Sequence, residues 1–203
     1  MKFYNSIGPN PKMVRMYMAE RGLSIDTQEV DIMAAENRGD EYTKRNPRGQ
    51  IPCLELDDGT VLAEITAICE YLDEINGTSA LVGTTPLARA ITRMWMRRAD
   101  LYVCEPLANG FRFAEGLPMF ESRMLCRPEA ADGLKAMAAN GLAWFDANLG
   151  EGAWLAGKDF TIADCLLFAF LEFGASVGQP IPAECTNVQA WYDRVAARPS
   201  ASA

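Results

Sequence analysis

Residues 46–57 read NPRGQIPCLELD, and a proline stands directly before the alternating run Cys53–Leu56. Pro52 has no backbone N–H, so it fits the first residue of a strand better than the interior of one. The residue before a proline is pushed towards an extended conformation. Two interpretations remain open. If the Ile51–Pro52 bond is cis, the chain turns sharply and presents the backbone of Ile51 to an extended ligand; otherwise the stretch is an ordinary loop leading into an edge strand.

The residues on both sides of this stretch predict a small mixed sheet. A β-α-β order gives parallel strands, and Asp58-Gly59 between two short apolar runs is typical of an antiparallel hairpin. The predicted elements are a strand over 2–6, a helix over 12–21, a strand over 27–32, a polar helix over 36–45, strands over 53–56 and 61–62, and a helix over 64–75. We therefore expect four strands with helices on their faces.

Beyond residue 76 the strand pattern ends and a segment rich in small residues follows. Predicted helices cover 85–107, 118–124, 129–149, 162–173 and 188–197. Thr161 and Asp164 have the spacing of a capping box, and the helix after them is apolar on nearly all sides, which is typical of a buried central helix. The predicted fold is an α/β thioredoxin-like N-terminal domain over residues 1–79, a linker over 80–86 and an all-α C-terminal domain over 87–203.

Composition excludes several classes of function. The chain has 203 residues and a formal charge of −8, without a basic patch, so we expect no nucleic-acid partner. It has six cysteines and no histidine, and no Cys-x-x-Cys pair, so we expect no metal site. Most cysteines lie in apolar helical patterns, which favours reduced thiols and a cytoplasmic location. No apolar run approaches the roughly 20 residues of a membrane span, so no membrane is expected.

Four segments together give the chain a family resemblance along its whole length. They are PNPKMVRMYMAERGL at 9–23, NPRGQIPCLELDDGTVLAEITAICEYL at 46–72, FTIADCLLFAF at 160–170 and NVQAWYDRVAARPS at 187–200. In this order and spacing they resemble the cytosolic glutathione S-transferases, as a divergent bacterial member. The resemblance implies glutathione as co-substrate, a small hydrophobic electrophile as second substrate, and a symmetric homodimer.

The resemblance also implies how the middle and the glycyl end of glutathione bind. The proline that matches Pro52 is cis in the family, and the backbone of the preceding residue, here Ile51, pairs with the cysteinyl part of the tripeptide as an added strand. Gln50 is placed to reach the glycyl end. The cations that can neutralise the glycyl carboxylate are Arg38, Lys44 and Arg48.

The γ-glutamyl end is expected at the N-terminus of the helix that begins near residue 64. A helix N-terminus offers free N–H groups and a favourable dipole to a carboxylate. Glu64 matches the family position that takes the γ-glutamyl ammonium. Ile65 stands where the family usually has a serine, so one hydroxyl donor is missing, and Thr66 is a possible substitute.

The residue that stabilises the thiolate is left open among several candidates. The serine or cysteine expected from the family falls on Gly8, which has no side chain. Asn10 and Ser6 are the leading substitutes and Tyr4 follows them. The N-terminus of the first helix adds its dipole in every case, and a site that uses only backbone N–H groups or water is a further alternative.

The pocket for the electrophile is expected between the domains, against the first helix of the C-terminal domain. The candidate wall residues are Met94, Arg98, Tyr102 and Phe111, with Phe113 beside them. Met94 and Tyr102 have an alternative role in the core or a dimer interface, and Arg97-Arg98 can accept an acidic group of the substrate. The two functions under consideration are a glutathione transferase and a glutathione-binding or scaffold homologue with little turnover.

Overall fold

The computed structural model describes residues 1–149 and 153–203. The N-terminal part contains strands β1 (Lys2–Asn5), β2 (Asp26–Glu29), β3 (Cys53–Glu55) and β4 (Val61–Leu62), and helices α1 (Pro9–Arg21), α2 (Asp40–Thr43) and α3 (Ile65–Ile75). The sheet order is β2-β1-β3-β4. β1 is parallel to β2 and antiparallel to β3, and β3 is antiparallel to β4. The predicted mixed sheet of four strands is confirmed.

The rest of the described chain is helical. Its helices are α4 (Pro86–Ala99), α5 (Glu105–Arg112), α6 (Leu117–Phe120), α7 (Ala131–Asn148), α8 (Ile162–Ser176) and α9 (Thr186–Ala196). The predicted fold class, a thioredoxin-like α/β part followed by an all-α part, is confirmed. Within the described ranges, no helix has both the length and the hydropathy that a bilayer crossing requires.

Two predicted helices differ from the observed ones for reasons that lie in single residues. The helix predicted over 36–45 is a short 3₁₀ turn, Glu36–Arg38, followed by α2, because Gly39 between them is extended. The helix predicted over 85–107 is interrupted by a π-helical segment, Asp100–Cys104. Pro106 follows that segment; it has no N–H for the carbonyl four residues back and its ring crowds that carbonyl, which disfavours a continuous α-helix.

Strand β1 separates two cores, as its alternation predicts. Phe3 faces the main core between the sheet and helices α1 and α3, whereas Tyr4 belongs to a smaller cluster with Val30, Tyr42 and Cys53 on the other side. Because side chains alternate across a strand, one residue of β1 serves each layer.

Helix α8 is the centre of the helical part. The predicted capping box is present: the Asp164 carboxylate accepts from the N–H of Thr161 at 2.9 Å. Asp164 is fully buried and also accepts from the N–H of Leu155 at 2.9 Å and from the Trp191 indole at 2.8 Å. A buried carboxylate with this many donors fixes the start of α8 against its neighbours.

The two parts of the chain are held together across α1 and α8, which pack against each other. Arg198 donates through Nε and Nη2 to the two carboxylate oxygens of Glu20 on α1, at 2.8 and 2.6 Å. Arg123, after α6, donates to the carbonyl of Ile32 at 2.6 Å. These contacts fix the position of the helical part relative to the sheet, and therefore the shape of the cleft between them.

Candidate functional site

A cleft of about 1350 Å³ lies between the α/β part and the helical part. Its floor comes from the start of α1, the loop before β3 and the start of α3; its far wall comes from α4, α5 and α6. Of the residues predicted to bind glutathione, Lys44 lies outside the lining and pairs with Glu41 at 2.7 Å. The others all line the cleft: Arg38, Arg48, Gln50, Ile51, Pro52, Glu64, Ile65 and Thr66. Residues from three separate segments of the sequence are therefore brought to one cavity.

The loop before β3 is held by buried polar side chains. The carbonyl of Gln50 accepts from the Tyr42 hydroxyl at 2.7 Å and from the Asn46 amide at 2.8 Å. Asn37 donates its amide to the carbonyl of Gly49 at 2.6 Å. With its backbone anchored, Gln50 leaves its side chain exposed towards the cleft. Sequence reasoning missed these three anchors, because the sequence does not show that their polar side chains are buried.

Gly49 is required by this arrangement. Its φ is 58°, a left-handed conformation that glycine adopts without strain. A Cβ atom there would lie 2.8 Å from the carbonyl oxygen of Asn37 and 3.1 Å from the Arg38 side chain. The glycine thus allows the loop and the turn that carries Arg38 to approach closely.

Ile51 presents an unused backbone edge to the cleft. The Ile51–Pro52 bond is cis, the first of the two alternatives considered above. Among the described residues, neither the N–H nor the carbonyl of Ile51 forms a hydrogen bond with another backbone group. The side chain of Ile51 packs instead on the cluster of Tyr4 and Val30. The backbone of Ile51, directly before β3, is therefore free to pair with an extended ligand.

Glu64 occupies an unusual conformation at the start of α3. Its φ is 67° and its ψ is 117°, a region that a residue with a side chain rarely adopts. The residue is exposed, and within the described ranges its carboxylate has no hydrogen-bond or ion-pair partner. Next to it, Ile65 and Thr66 open the helix, with Ile65 partly buried against the main core. This corner combines free helical N–H groups with one free carboxylate.

The start of α1 forms the neighbouring wall. Gly8 caps the helix with a φ of 112°, and Asn10 is the second helical residue; both line the cleft. Pro9 and Pro11 have no N–H, and the N–H of Lys12 bonds the carbonyl of Gly8 at 3.3 Å. The N–H of Asn10 is therefore the one free donor of the first turn, and the Asn10 side chain lies beside it.

The other two candidates for thiol activation lie outside the cleft lining. Ser6 is buried and donates its hydroxyl to the carbonyl of Val30 at 2.6 Å. Tyr4 is buried and donates to Glu55 at 2.6 Å, and burial raises the pKa of its phenol. Both hydroxyls thus have structural partners on the far side of β1.

The predicted wall of the electrophile pocket is brought together only in part. Phe111 lines the cleft, whereas Met94, Arg98, Tyr102 and Phe113 do not. The face of α4 that lines the cleft carries Arg93, Met96 and Arg97, with Asp100 one turn further. The predicted set lies one residue later along the helix, and one residue is a rotation of about 100°. The helix predicted for this wall does line the cleft, but through the neighbouring face.

Two of these residues, Tyr102 and Arg98, lie at a second surface of the helical part. Tyr102 is 45% exposed and lines a shallow cavity of about 530 Å³ together with Leu101, Met137 and Trp144. The ring of Tyr102 meets Trp144 edge-on at 5.7 Å. The Arg98 guanidinium lies over Trp95 at 4.9 Å. The alternative given to Met94 and Tyr102, a role at a protein interface, is compatible with this exposed aromatic surface.

Comparison with known proteins agrees with the fold and the cleft. Residues 7–75 match the family described as "Glutathione S-transferase, N-terminal domain", and residues 117–199 match "Glutathione S-transferase, C-terminal domain". The chain is 36% identical over 195 residues to "Glutathione S-transferase 2" of Saccharomyces cerevisiae, covering 95% of this chain and 84% of that protein. It is 30% identical over 205 residues to "Glutathione S-transferase GstA" of Escherichia coli O157:H7, covering 98% and 94%.

Solved structures show the same likeness. The crystal structure of Gtt2 from Saccharomyces cerevisiae superposes with a TM-score of 0.93 at 36% identity, covering 100% of this chain and 99% of that one. A glutathione S-transferase domain-containing protein of Marinobacter aquaeolei gives a TM-score of 0.92 at 36% identity, covering 98% and 99%. The chain therefore belongs to the glutathione S-transferase family.

Proposed function

We propose that the protein is a glutathione transferase, which binds glutathione in the cleft, stabilises its thiolate and joins it to a small electrophile. The observation that carries the proposal is the meeting of the free backbone edge of Ile51, the free carboxylate of Glu64 and the N-terminus of α1 in one cleft. These groups match the cysteinyl backbone, the γ-glutamyl ammonium and the cysteinyl sulfur of the tripeptide, in that order. The yeast and Escherichia coli relatives are themselves named glutathione S-transferases.

In this proposal each end of glutathione has a distinct partner. The γ-glutamyl ammonium pairs with Glu64, and the γ-glutamyl carboxylate takes the free N–H groups at the start of α3. The cysteinyl backbone pairs with Ile51. The glycyl carboxylate lies near Gln50 and Arg38. The cysteinyl sulfur then points towards the start of α1.

Asn10 is the residue we assign to the thiol. A donor near the sulfur and the positive end of a helix dipole both favour the thiolate over the thiol, whose free pKa is about 8.5. Asn10 supplies a backbone N–H and a side-chain amide on the cleft side. The thiolate attacks the electrophilic carbon and forms a C–S bond; the electron pair leaves with a leaving group or is protonated from solvent.

Exchanging Asn10 and Ser6 singly for alanine tests the assignment. Asn10→Ala is expected to lower kcat/KM for conjugation by about tenfold, equivalent to about 1.4 kcal/mol, and to weaken the ultraviolet signal of the bound thiolate at pH 7. Ser6→Ala removes a buried hydrogen bond and is expected to lower the free energy of unfolding by about 1 kcal/mol without changing kcat/KM. Equal kinetics for wild type and Asn10→Ala would assign the thiolate to backbone N–H groups or water.

The second candidate is a binding or scaffold homologue with little turnover. Two observations favour it: Gly8 and Ile65 stand where the resemblance leads us to expect hydroxyl side chains, and the conformation of Gly8 is one that a residue with a side chain rarely adopts. Retention on immobilised glutathione without a thiolate signal at pH 7 would support this candidate. Retention with a signal supports the transferase.

We also propose that two copies associate through the surface of Tyr102, Leu101, Met137 and Trp144, as an isologous homodimer. Large apolar side chains stand in solvent at this surface, since Met137 is 58% and Leu101 44% exposed. Sedimentation velocity of wild type and Tyr102→Glu measures the association.

A further inference from the structure

Six arginines line the cleft, and they divide into two groups. Arg93 is held by Glu70 through two contacts of 2.8 Å, and Arg97 pairs with Asp100 at 2.9 Å. The other four arginines are Arg38, Arg48, Arg112 and Arg123. Among residues 1–149 and 153–203, none of these four has a carboxylate within 4 Å. One side of the cleft therefore carries four positive charges without direct counter-ions.

These guanidiniums are close enough to influence one another. Arg48 and Arg123 both lower the pKa of Arg38, after the larger effect of burial. Arg38 donates to the carbonyl of Arg48 at 3.1 Å, and Arg123 donates to the carbonyl of Ile32. A carbonyl orients a guanidinium but does not neutralise it. These four arginines therefore give one side of the cleft a positive charge that favours the binding of an anion.

Arg112 and Arg123 belong to the helical side of the cleft, and of these two Arg123 already donates to the carbonyl of Ile32 on the sheet side. Within the described chain, Arg112 has no such contact across the cleft. It is partly buried at the end of α5, and burial lowers the pKa of its guanidinium, although an arginine stays charged. Among the residues that the structure describes, its one hydrogen bond is to the Asn109 side-chain oxygen at 3.0 Å. Glu105 accepts from the Asn109 amide at 3.2 Å, and its charge partly offsets the effect of burial on the pKa of Arg112. Most of the donor capacity of Arg112 is therefore unused.

An aromatic surface adjoins this cation. Phe111 meets Phe120 edge-on at 6.2 Å and Phe173 edge-on at 5.2 Å, and all three rings line the cleft. The Arg112 guanidinium lies over the Phe120 ring at 5.7 Å. A ligand that fills this half of the cleft meets apolar rings on one side and a charged fork on the other.

We propose that the second substrate is an aromatic or bulky apolar electrophile that carries a carboxylate, and that Arg112 binds this carboxylate. The inference rests on the proposed function, because it concerns the same cleft. Glutathione alone does not account for Arg112, because both carboxylates of glutathione already have other partners in the proposed function. The γ-glutamyl carboxylate binds at the start of α3, and the glycyl carboxylate lies near Arg38 and Arg48 on the sheet side. The planar fork of Arg112 suits a carboxylate bound through both oxygens.

A structural role for Arg112 is the competing explanation. The residue ends α5, where a cation interacts favourably with the helix dipole. That role predicts a loss of stability in Arg112→Gln, with no change in the preference between charged and neutral ligands. A comparison of two ligands with the same shape separates the explanations.

The experiment measures binding without turnover. The probes are 4-oxo-4-phenylbutanoic acid and its primary amide, titrated by calorimetry into the full chain saturated with S-methylglutathione. We expect wild type to bind the acid at least tenfold tighter than the amide. In Arg112→Gln the ratio of acid to amide affinity is expected to fall to about one, while the affinity for the amide stays within twofold. Arg112→Lys is expected to keep part of the preference for the acid.

Arg93→Gln is the matched control. Arg93 lines the same cleft, but Glu70 already neutralises it, so its removal is expected to leave the ratio of acid to amide affinity unchanged. Equal affinities of wild type for acid and amide would overturn the inference, as would an equal loss for both probes in Arg112→Gln. If S-methylglutathione does not bind, the proposed function fails, and the same titrations on the free protein still decide the role of Arg112.

Discussion

Glu64 is the residue at which stability and binding are expected to oppose each other. With φ at 67° and ψ at 117°, its backbone is in a region that costs a residue with a side chain about 1–3 kcal/mol. Glycine has no such penalty, but it adds about 0.5–1 kcal/mol of unfolded-state entropy. Glu64→Gly and Glu64→Ala both lack the carboxylate, so its interaction with the α3 dipole cancels between them.

The difference between these two variants isolates the backbone strain. We expect Glu64→Gly to be more stable than Glu64→Ala by about 1–2 kcal/mol, although glycine is ordinarily the less stabilising residue. Urea denaturation monitored by tryptophan fluorescence measures both free energies of unfolding. A Glu64→Gly variant less stable than Glu64→Ala would contradict the conformation described for this corner.

The same variants test the contact with the γ-glutamyl ammonium. A hydrogen bond to a charged group contributes about 1.5–3 kcal/mol, so both variants are expected to bind glutathione about 10- to 150-fold more weakly. Glu64→Gln keeps the size of the side chain and an acceptor oxygen, and is expected to lose less. Unchanged dissociation constants in all three variants, measured by calorimetry, would remove Glu64 from the proposed site.

Two further predictions concern Ile65 and Glu20. Ile65→Ser restores a hydroxyl at the start of α3 and is expected to tighten glutathione binding about five- to tenfold, as calorimetry can measure. The lost burial of the isoleucine is expected to lower the free energy of unfolding by about 1–2 kcal/mol, as urea denaturation can measure. Unchanged glutathione binding would contradict the role given to the hydroxyl. Hydrogen bonds from Arg198 and Ser200 lower the pKa of Glu20 in the folded protein below 4.5. Between this lowered pKa and the pKa of Glu20 in the unfolded chain, the unfolded chain binds more protons than the folded one. The free energy of unfolding therefore falls as the pH falls through that interval. Thermal unfolding between pH 3 and 7 should show a flatter profile for Glu20→Gln, and an identical profile would contradict it.

The sheet and the buried helix could be read from the sequence because each depends on a local pattern. Asp58-Gly59 specifies a hairpin through backbone conformation alone, and Thr161 with Asp164 specifies a helix start through two reciprocal hydrogen bonds. The alternation of Phe3 and Tyr4 likewise assigned each ring to its own core. Such signals need no knowledge of distant residues.

The face of α4 could not be read in this way, because that helix carries apolar residues on two sides. Thr92, Met96 and Ala99 are buried, yet Met94 at 41% and Tyr102 at 45% exposure present an equally apolar stripe to solvent. Periodicity finds an apolar face but does not say which of two partners covers it. Tertiary packing against α8 decides the rotation of the helix.

The anchors of the binding loop were hidden for a different reason. Tyr42, Asn46 and Asn37 act through their side chains on backbone carbonyls up to 12 residues away. Any residue type supplies a backbone carbonyl, so the contact leaves no characteristic pair of residue types in the sequence. When a binding site is formed by main-chain groups, only the residues that position the main chain are constrained in type. In the sequence these residues resemble ordinary polar loop residues.

Gly8 brings these points together at the proposed thiol site. Open space surrounds the place where its Cβ would lie, so a serine there would meet no neighbour. Its φ of 112° nevertheless opposes any side chain, and a hydroxyl at this position would come at the expense of the turn that starts α1. That turn directs the free N–H of Asn10 into the cleft. The conformation of Gly8 therefore explains both why the expected side chain is absent and why a backbone donor is present two residues later. We accordingly propose residue 10, and not residue 8, as the donor to the thiolate.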